Sequence, residues 1–85
     1  MKEFRLVISS PDGTIFDRDI TNISLRGANG DLAVMAGHIP FITSVKPGEC
    51  KIAYDGEEKL AEVEGGLLTV AGDKTTLLSG SFKWK

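Results

Sequence analysis

Hydrophobic and polar residues alternate along nearly all of this chain, and no stretch carries the sustained i, i+3, i+4 apolar stripe of an amphipathic helix. Phe4, Leu6 and Ile8 alternate with Glu3, Arg5 and Ser9, and Ile52 and Tyr54 alternate with Lys51 and Ala53. Ala61 and Val63 alternate with Leu60, Glu62 and Glu64. A period of two sends successive side chains to opposite faces, so each run buries its apolar side only as part of a sheet. Turn formers fall between the runs: Pro11-Asp12-Gly13, Gly27-Ala28-Asn29-Gly30, Lys46-Pro47-Gly48, Asp55-Gly56 and Gly72-Asp73. Asp55-Gly56 between two alternating runs is the strongest short-range hairpin signal in the sequence.

This spacing predicts strands near residues 3–9, 14–17, 20–26, 31–35, 41–45, 49–54, 58–64, 66–71 and 74–79. Turns at such intervals belong to an all-β sandwich or barrel. Two packed sheets would share a core of Phe4, Leu6, Ile8, Phe16, Ile23, Leu25, Leu32, Val34, Phe41, Ile52, Val63, Leu68, Val70 and Leu77. Gly65-Gly66 within apolar sequence predicts a bulge or a close backbone approach. Alternation is lost after Ser79, so a domain over residues 1–80 is expected, with 81–85 a short tail carrying an exposed Trp84.

At 85 residues the chain has room for one domain. Ten basic against twelve acidic residues leave a net charge of −2, which argues against a protein built to wrap phosphate backbones. Its apolar runs fall far short of the ~20 residues that span a bilayer, so no direct membrane insertion is expected. Met1-Lys2-Glu3 leads straight into the first alternating run, and the expectation is an intracellular protein without a secretory signal. The single cysteine, Cys50, leaves no intrachain disulfide framework and no multi-cysteine zinc site.

Chemistry-bearing residues are sparse. A catalytic reading must start from His38, the sole histidine, in the turn Ala36-Gly37-His38-Ile39-Pro40. A general base needs a nucleophile within reach and a group to orient it, and Asp31, Thr43 and Ser44 are neighbours only in sequence. Asp12, Asp17 and Asp19 have the flavour of a calcium loop but lack its remaining ligand positions. Gly27 to Gly30 lacks the Lys-Ser/Thr and the helix of a phosphate cradle. Cys50 reads as a small apolar strand residue, and Glu57, Glu58, Glu62 and Glu64 as the wet side of a hairpin. The inventory predicts no enzyme, no metal and no cofactor. The segment from Gly27 to Pro47 crowds turn formers and the histidine between short apolar strands, which points to a binding module.

That segment also carries a resemblance. Gly27-Ala28-Asn29-Gly30-Asp31-Leu32 through Gly37-His38-Ile39-Pro40 resembles the G-x-x-G-E-L-x-x-x-x-G-H-x-P signature of the epsilon subunit of rotary ATP synthases. Thr43-Ser44-Val45-Lys46-Pro47-Gly48 is similar to the family's T-x-[IL]-K-P-G, and Glu64-Gly65-Gly66-Leu67-Leu68-Thr69-Val70 to its paired-glycine strand. Phe4 to Ser9 with Ile15-Phe16 resembles the family's first hairpin, so nearly the whole chain is covered in order.

The resemblance implies a ten-stranded antiparallel β-sandwich and a noncatalytic place in the central rotor of a proton-translocating ATP synthase. There the subunit joins the foot of the gamma shaft to the polar loops of the membrane c-ring. It implies a peripheral location on the cytoplasmic face of the bacterial plasma membrane. Asp31, with Gly30, Gly37, His38 and Pro40, falls on positions that face the c-ring, where a carboxylate can meet basic loop groups. Ser9, Ser10, Phe41, Ile42 and Thr43 fall where the family meets gamma. Departures are Asp31 where Glu is commoner and Met35-Ala36 in place of an aromatic-proline pair. Family members continue into a two-helix domain, for which nothing after Ser79 offers the sequence. Two rival expectations stand beside this one: a free-standing β-sandwich adaptor that binds another protein, and a small hydrolase using His38.

Overall fold

In a computed structural model, which describes residues 2–37, 40–72 and 74–85, the period-two runs are strands. Among the described residues these are β1 (Phe4–Ser10), β2 (Gly13–Ile20), β3 (Asn22–Gly27), β4 (Gly30–Met35) and β5 (Phe41–Val45). They continue with β6 (Gly48–Tyr54), β7 (Glu57–Val63), β8 (Gly66–Ala71), β9 (Lys74–Leu78) and β10 (Phe82–Trp84). His38 of the signature turn and Asp73 of the last hairpin lie outside the described residues.

Hydrogen bonding runs continuously through β10-β7-β6-β3-β5-β8-β9-β1-β2, and β4 pairs with β3. The path narrows between β3 and β5 to a single registered pair, Gly27 with Val45, supported by the Lys46 amide donating to the Arg26 carbonyl at 2.8 Å. There the sheet folds into two layers, β4-β3-β6-β7-β10 and β5-β8-β9-β1-β2, as a sandwich requires. The architecture is the expected all-β sandwich of ten strands. One pairing departs from the antiparallel expectation: β1 and β9 run parallel, with Leu6 beside Thr75 and Ile8 beside Leu77.

Local chemistry sets the turns. Asp55 at φ 54° and Gly56 at φ 75° both occupy the left-handed region, so Tyr54 pairs directly with Glu57 across a two-residue loop whose twist matches that of the strands. The expected close approach at the paired glycines is present at Gly66, where a Cβ would lie 1.9 Å from the Leu78 carbonyl oxygen.

The core forms where inward positions of both layers meet: Leu6, Ile8, Leu68 and Leu77 from one, Ile23, Leu25, Ile52 and Val63 from the other. Ile20, Val45, Cys50 and Ala61 join them, while Phe16, Leu32 and Phe41, expected inside, are half-buried at the margin. Burial pushes the Cys50 thiol up to about 12, as befits a small apolar core residue.

Within the segment expected as a short tail, Phe82–Trp84 form β10, which pairs antiparallel with β7, Trp84 opposite Ala61 and Phe82 opposite Val63. Phe82 and Trp84 stack edge to face at 5.1 Å, and Phe16 of the other layer meets both Trp84 and Tyr54 at 5.5 Å. This aromatic group closes the margin where β10 and β2 face each other. Arg18 lies 4.4 Å above the Tyr54 ring and pairs with Asp55, tying β2 to the β6–β7 hairpin.

Candidate functional site

The two outer faces of the sandwich differ in chemistry. On β5, β8, β9 and β1 two of the outward cross-strand rows, fixed by register, are Ser44-Leu67-Leu78-Ser9 and Ile42-Thr69-Thr76-Val7, and a third row beyond them, Ala71-Lys74-Arg5, carries two cations at its end of the face. None of the eight residues in the first two rows is charged, in a chain that is 26% charged, where a surface of that size would carry about two charges. Ile42 is 67% exposed, Leu78 47% and Leu67 40%, so the rows present large apolar side chains to the outside, with hydroxyls between them. The other layer is polar. Arg26 and Asp31 pair at 3.5 Å between β3 and β4, and Lys85 reaches Glu49 at 2.9 Å and Glu62 at 3.6 Å across β6 and β7.

At the margin opposite the aromatic group, the β3–β4 turn and the start of β5 enclose an open hollow of about 320 Å³. Gly30, Asp31 and Leu32 line one side, and Phe41, Ile42 and Thr43 the other. Asp31 stands at its lip with a side chain 85% exposed, so the ion pair to Arg26 leaves the carboxylate open to a partner. A surface pair of this kind contributes only ~0–1 kcal/mol.

The residues singled out in the sequence are thus sorted by the fold. Gly30 and Asp31 share the hollow with Phe41, Ile42 and Thr43, and Pro40 directly precedes that edge. Gly37 follows Met35, at the far end of β4 from Asp31, since Arg26 pairs with Asp31 and Asn22 with Met35. Ser9 and Ile42 lie on the uncharged face, whereas Phe41 and Thr43 alternate to the other side of β5 and are half-buried. Ser10 sits at the end of β1, where its hydroxyl accepts from the Asp12 amide at 3.2 Å. Sequence reasoning missed Val7, Ser44, Leu67, Thr69, Thr76 and Leu78. Their signal is the absence of charge at outward positions, which means little until register places them side by side.

His38, from which the catalytic reading starts, lies outside the described residues. Asp17 and Asp19 of the calcium-like stretch each approach Arg5 at 3.3 Å. Among the described residues no group of three or more His, Cys, Asp or Glu could hold a metal ion. No helix among them is long and apolar enough to cross a membrane.

Residues 3–85 match the family model described as the β-sandwich domain of the ATP synthase delta/epsilon chain. The chain belongs to this family. Relatives include the ATP synthase epsilon chain of Bacillus velezensis, 40% identical over 79 residues, which cover 93% of this chain and 60% of that one. The epsilon chain of Caldicellulosiruptor bescii is 34% identical over 84 residues, covering 99% of this chain and 61% of the relative. The chain therefore spans about three-fifths of the length of these epsilon chains. The fold recurs in a mitochondrial ATP synthase of Euglena gracilis, solved as OSCP/F1/c-ring, with TM-score 0.90 at 20% identity over 96% of this chain and 53% of that chain. It recurs again in the central stalk and c-ring assembly of the Tetrahymena thermophila mitochondrial enzyme, with TM-score 0.81 at 15% identity, covering 95% of this chain and 66% of that one.

Proposed function

We propose that this sandwich is the noncatalytic rotor joint of a proton-translocating ATP synthase, holding the gamma shaft to the polar loops of the c-ring. The observation that carries the reading is the match to bacterial epsilon chains over 93% or more of this chain. The two uncharged rows across β5, β8, β9 and β1, bordered by Lys74 and Arg5, support it as the gamma-docking surface, because the centre of a lasting protein interface is depleted of charge. The exposed Asp31 at the β3–β4 turn supports a second contact, a charge-assisted bond to basic or polar groups of the ring loops. Gly30 flanks that carboxylate, and the family motif adds Gly37, His38 and Pro40 to the ring-facing set, although Gly37 stands at the other end of β4 from Asp31. In this role the subunit sits peripherally on the cytoplasmic face of the bacterial membrane.

A joint of this kind needs stiffness and two adjoining surfaces, here meeting at the hollow between Asp31 and Ile42, rather than a reactive group. The test is reconstitution: the source organism's ATP synthase is stripped of its epsilon subunit and this chain is added back. Restored proton pumping on ATP hydrolysis is the expected result. Failure to bind the gamma-containing complex at micromolar concentrations would overturn the reading and favour the free-standing adaptor.

A further inference from the structure

Where the uncharged face ends, Ser9, Ser10, Pro11, Leu67, Leu78 and Gly80 surround a hollow of about 430 Å³, a volume at the lower end of the ~300–1,000 Å³ of ligand pockets. No charged side chain lines it. Leu67 and Leu78 stand opposite each other across β8 and β9 and form one rim. The base is rigid. Ser79 is buried, its amide donates to the Ser9 carbonyl at 3.0 Å, and its hydroxyl donates to the Gly65 carbonyl at 2.7 Å while accepting from the Ser81 amide at 3.3 Å. Gly66 holds β8 so close to β9 that no larger residue fits between them. A preformed apolar recess continuous with a docking face is where binding energy concentrates, because an inserted anchor is desolvated without the recess having to reorganise.

We infer that this recess receives one apolar side chain, aliphatic or aromatic, projecting from the gamma subunit. The inference rests on the reading of the uncharged face as the gamma surface and names the anchor within it. Its occupant is uncharged because no charged side chain lines the recess, and a charge buried there would go unpaired.

Two variants of the subunit test it by titration against the ATP synthase stripped of epsilon. Gly80 lines the recess and an added Cβ there meets no atom within 4 Å, so Gly80→Leu sets a bulky side chain at its mouth without displacing a neighbour. Leu78→Ala removes one rim from an exposed position. Each is expected to weaken binding at least about tenfold with unchanged thermal unfolding. Wild-type affinity in either folded variant overturns the anchor. Should Gly80→Leu fail to fold, Leu78→Ala decides alone. Ile42→Asp separates the two levels of the argument, since it charges the neighbouring row of the face without lining the recess. If it abolishes binding while the recess variants bind normally, the face reading stands and the anchor falls. If all three bind as wild type, the face reading falls and takes the anchor with it.

Discussion

Trp84 on β10 meets Phe16 on β2 with ring centroids 5.5 Å apart, joining the two layers at a margin where no backbone ladder does so among the described residues. Trp84→Ala removes this contact and the one to Phe82. Because the indole is 41% exposed, the loss should be below that of a fully buried aromatic, about 1–2 kcal/mol. In a domain this small that lowers the unfolding midpoint by roughly 5–15 °C. An unchanged midpoint would show that β10 alone seals the margin.

Gly66 should be the least replaceable residue of β8. Its φ of 151° and the 1.9 Å approach of a Cβ to the Leu78 oxygen make Gly66→Ala both strained and blocked by backbone. We expect a cost of about 2–4 kcal/mol, against a change within about 0.5 kcal/mol for Gly80→Ala, where nothing lies nearby. Urea titration of the pair checks this, and equal stability of the two variants would refute the close-approach argument.

Asp31→Lys reverses a charge on a side chain that is almost fully exposed. Folding stability should change by less than about 1 kcal/mol, since only the surface pair with Arg26 is lost. In the reconstituted complex, proton pumping per ATP hydrolysed should fall. A folded Asp31→Lys subunit with full coupling would remove Asp31 from the ring contact.

The Cys50 thiol should resist alkylation at pH 8 in the native state and react once urea unfolds the chain, because burial holds it protonated with a pKa of about 12. The unfolded thiol releases its proton earlier, near the ordinary cysteine value of ~8.5. Between that value and about 12 the folded state binds the extra proton, so stability falls as pH rises through this window. The slope from this one group is at most about 1.4 kcal/mol per pH unit, and Cys50→Ala should abolish it. Rapid native-state labelling at pH 8 would contradict this placement of the thiol.

What the sequence made legible was local. Asp55-Gly56 announced the β6–β7 hairpin, and alternation placed Leu6, Ile23, Ile52 and Leu77 inside. The missed features depend on distant partners. β2 runs on to Ile20 and turns into β3 without glycine or proline, because Thr21 is held by its amide and hydroxyl on the Ala53 carbonyl at 2.8 and 3.0 Å. β10 has only three residues and little pattern of its own; β7 supplies its ladder. Asp31 was found through a motif, whereas Leu67 and Leu78 matter through a neighbourhood that only strand register creates.

The parallel pairing of β1 with β9 also governs how the chain is made. β1 and β2 can close their hairpin as soon as both have emerged from the ribosome, yet six strands intervene before the one that completes their layer. Until Lys74–Leu78 arrives, one flank of β1 remains an open template for any other extended chain. Closing so long a loop places refolding in the millisecond-to-second range of all-β domains rather than the microseconds of helical bundles. Nascent chains stalled before β9 should therefore be the species that a cell's chaperones meet.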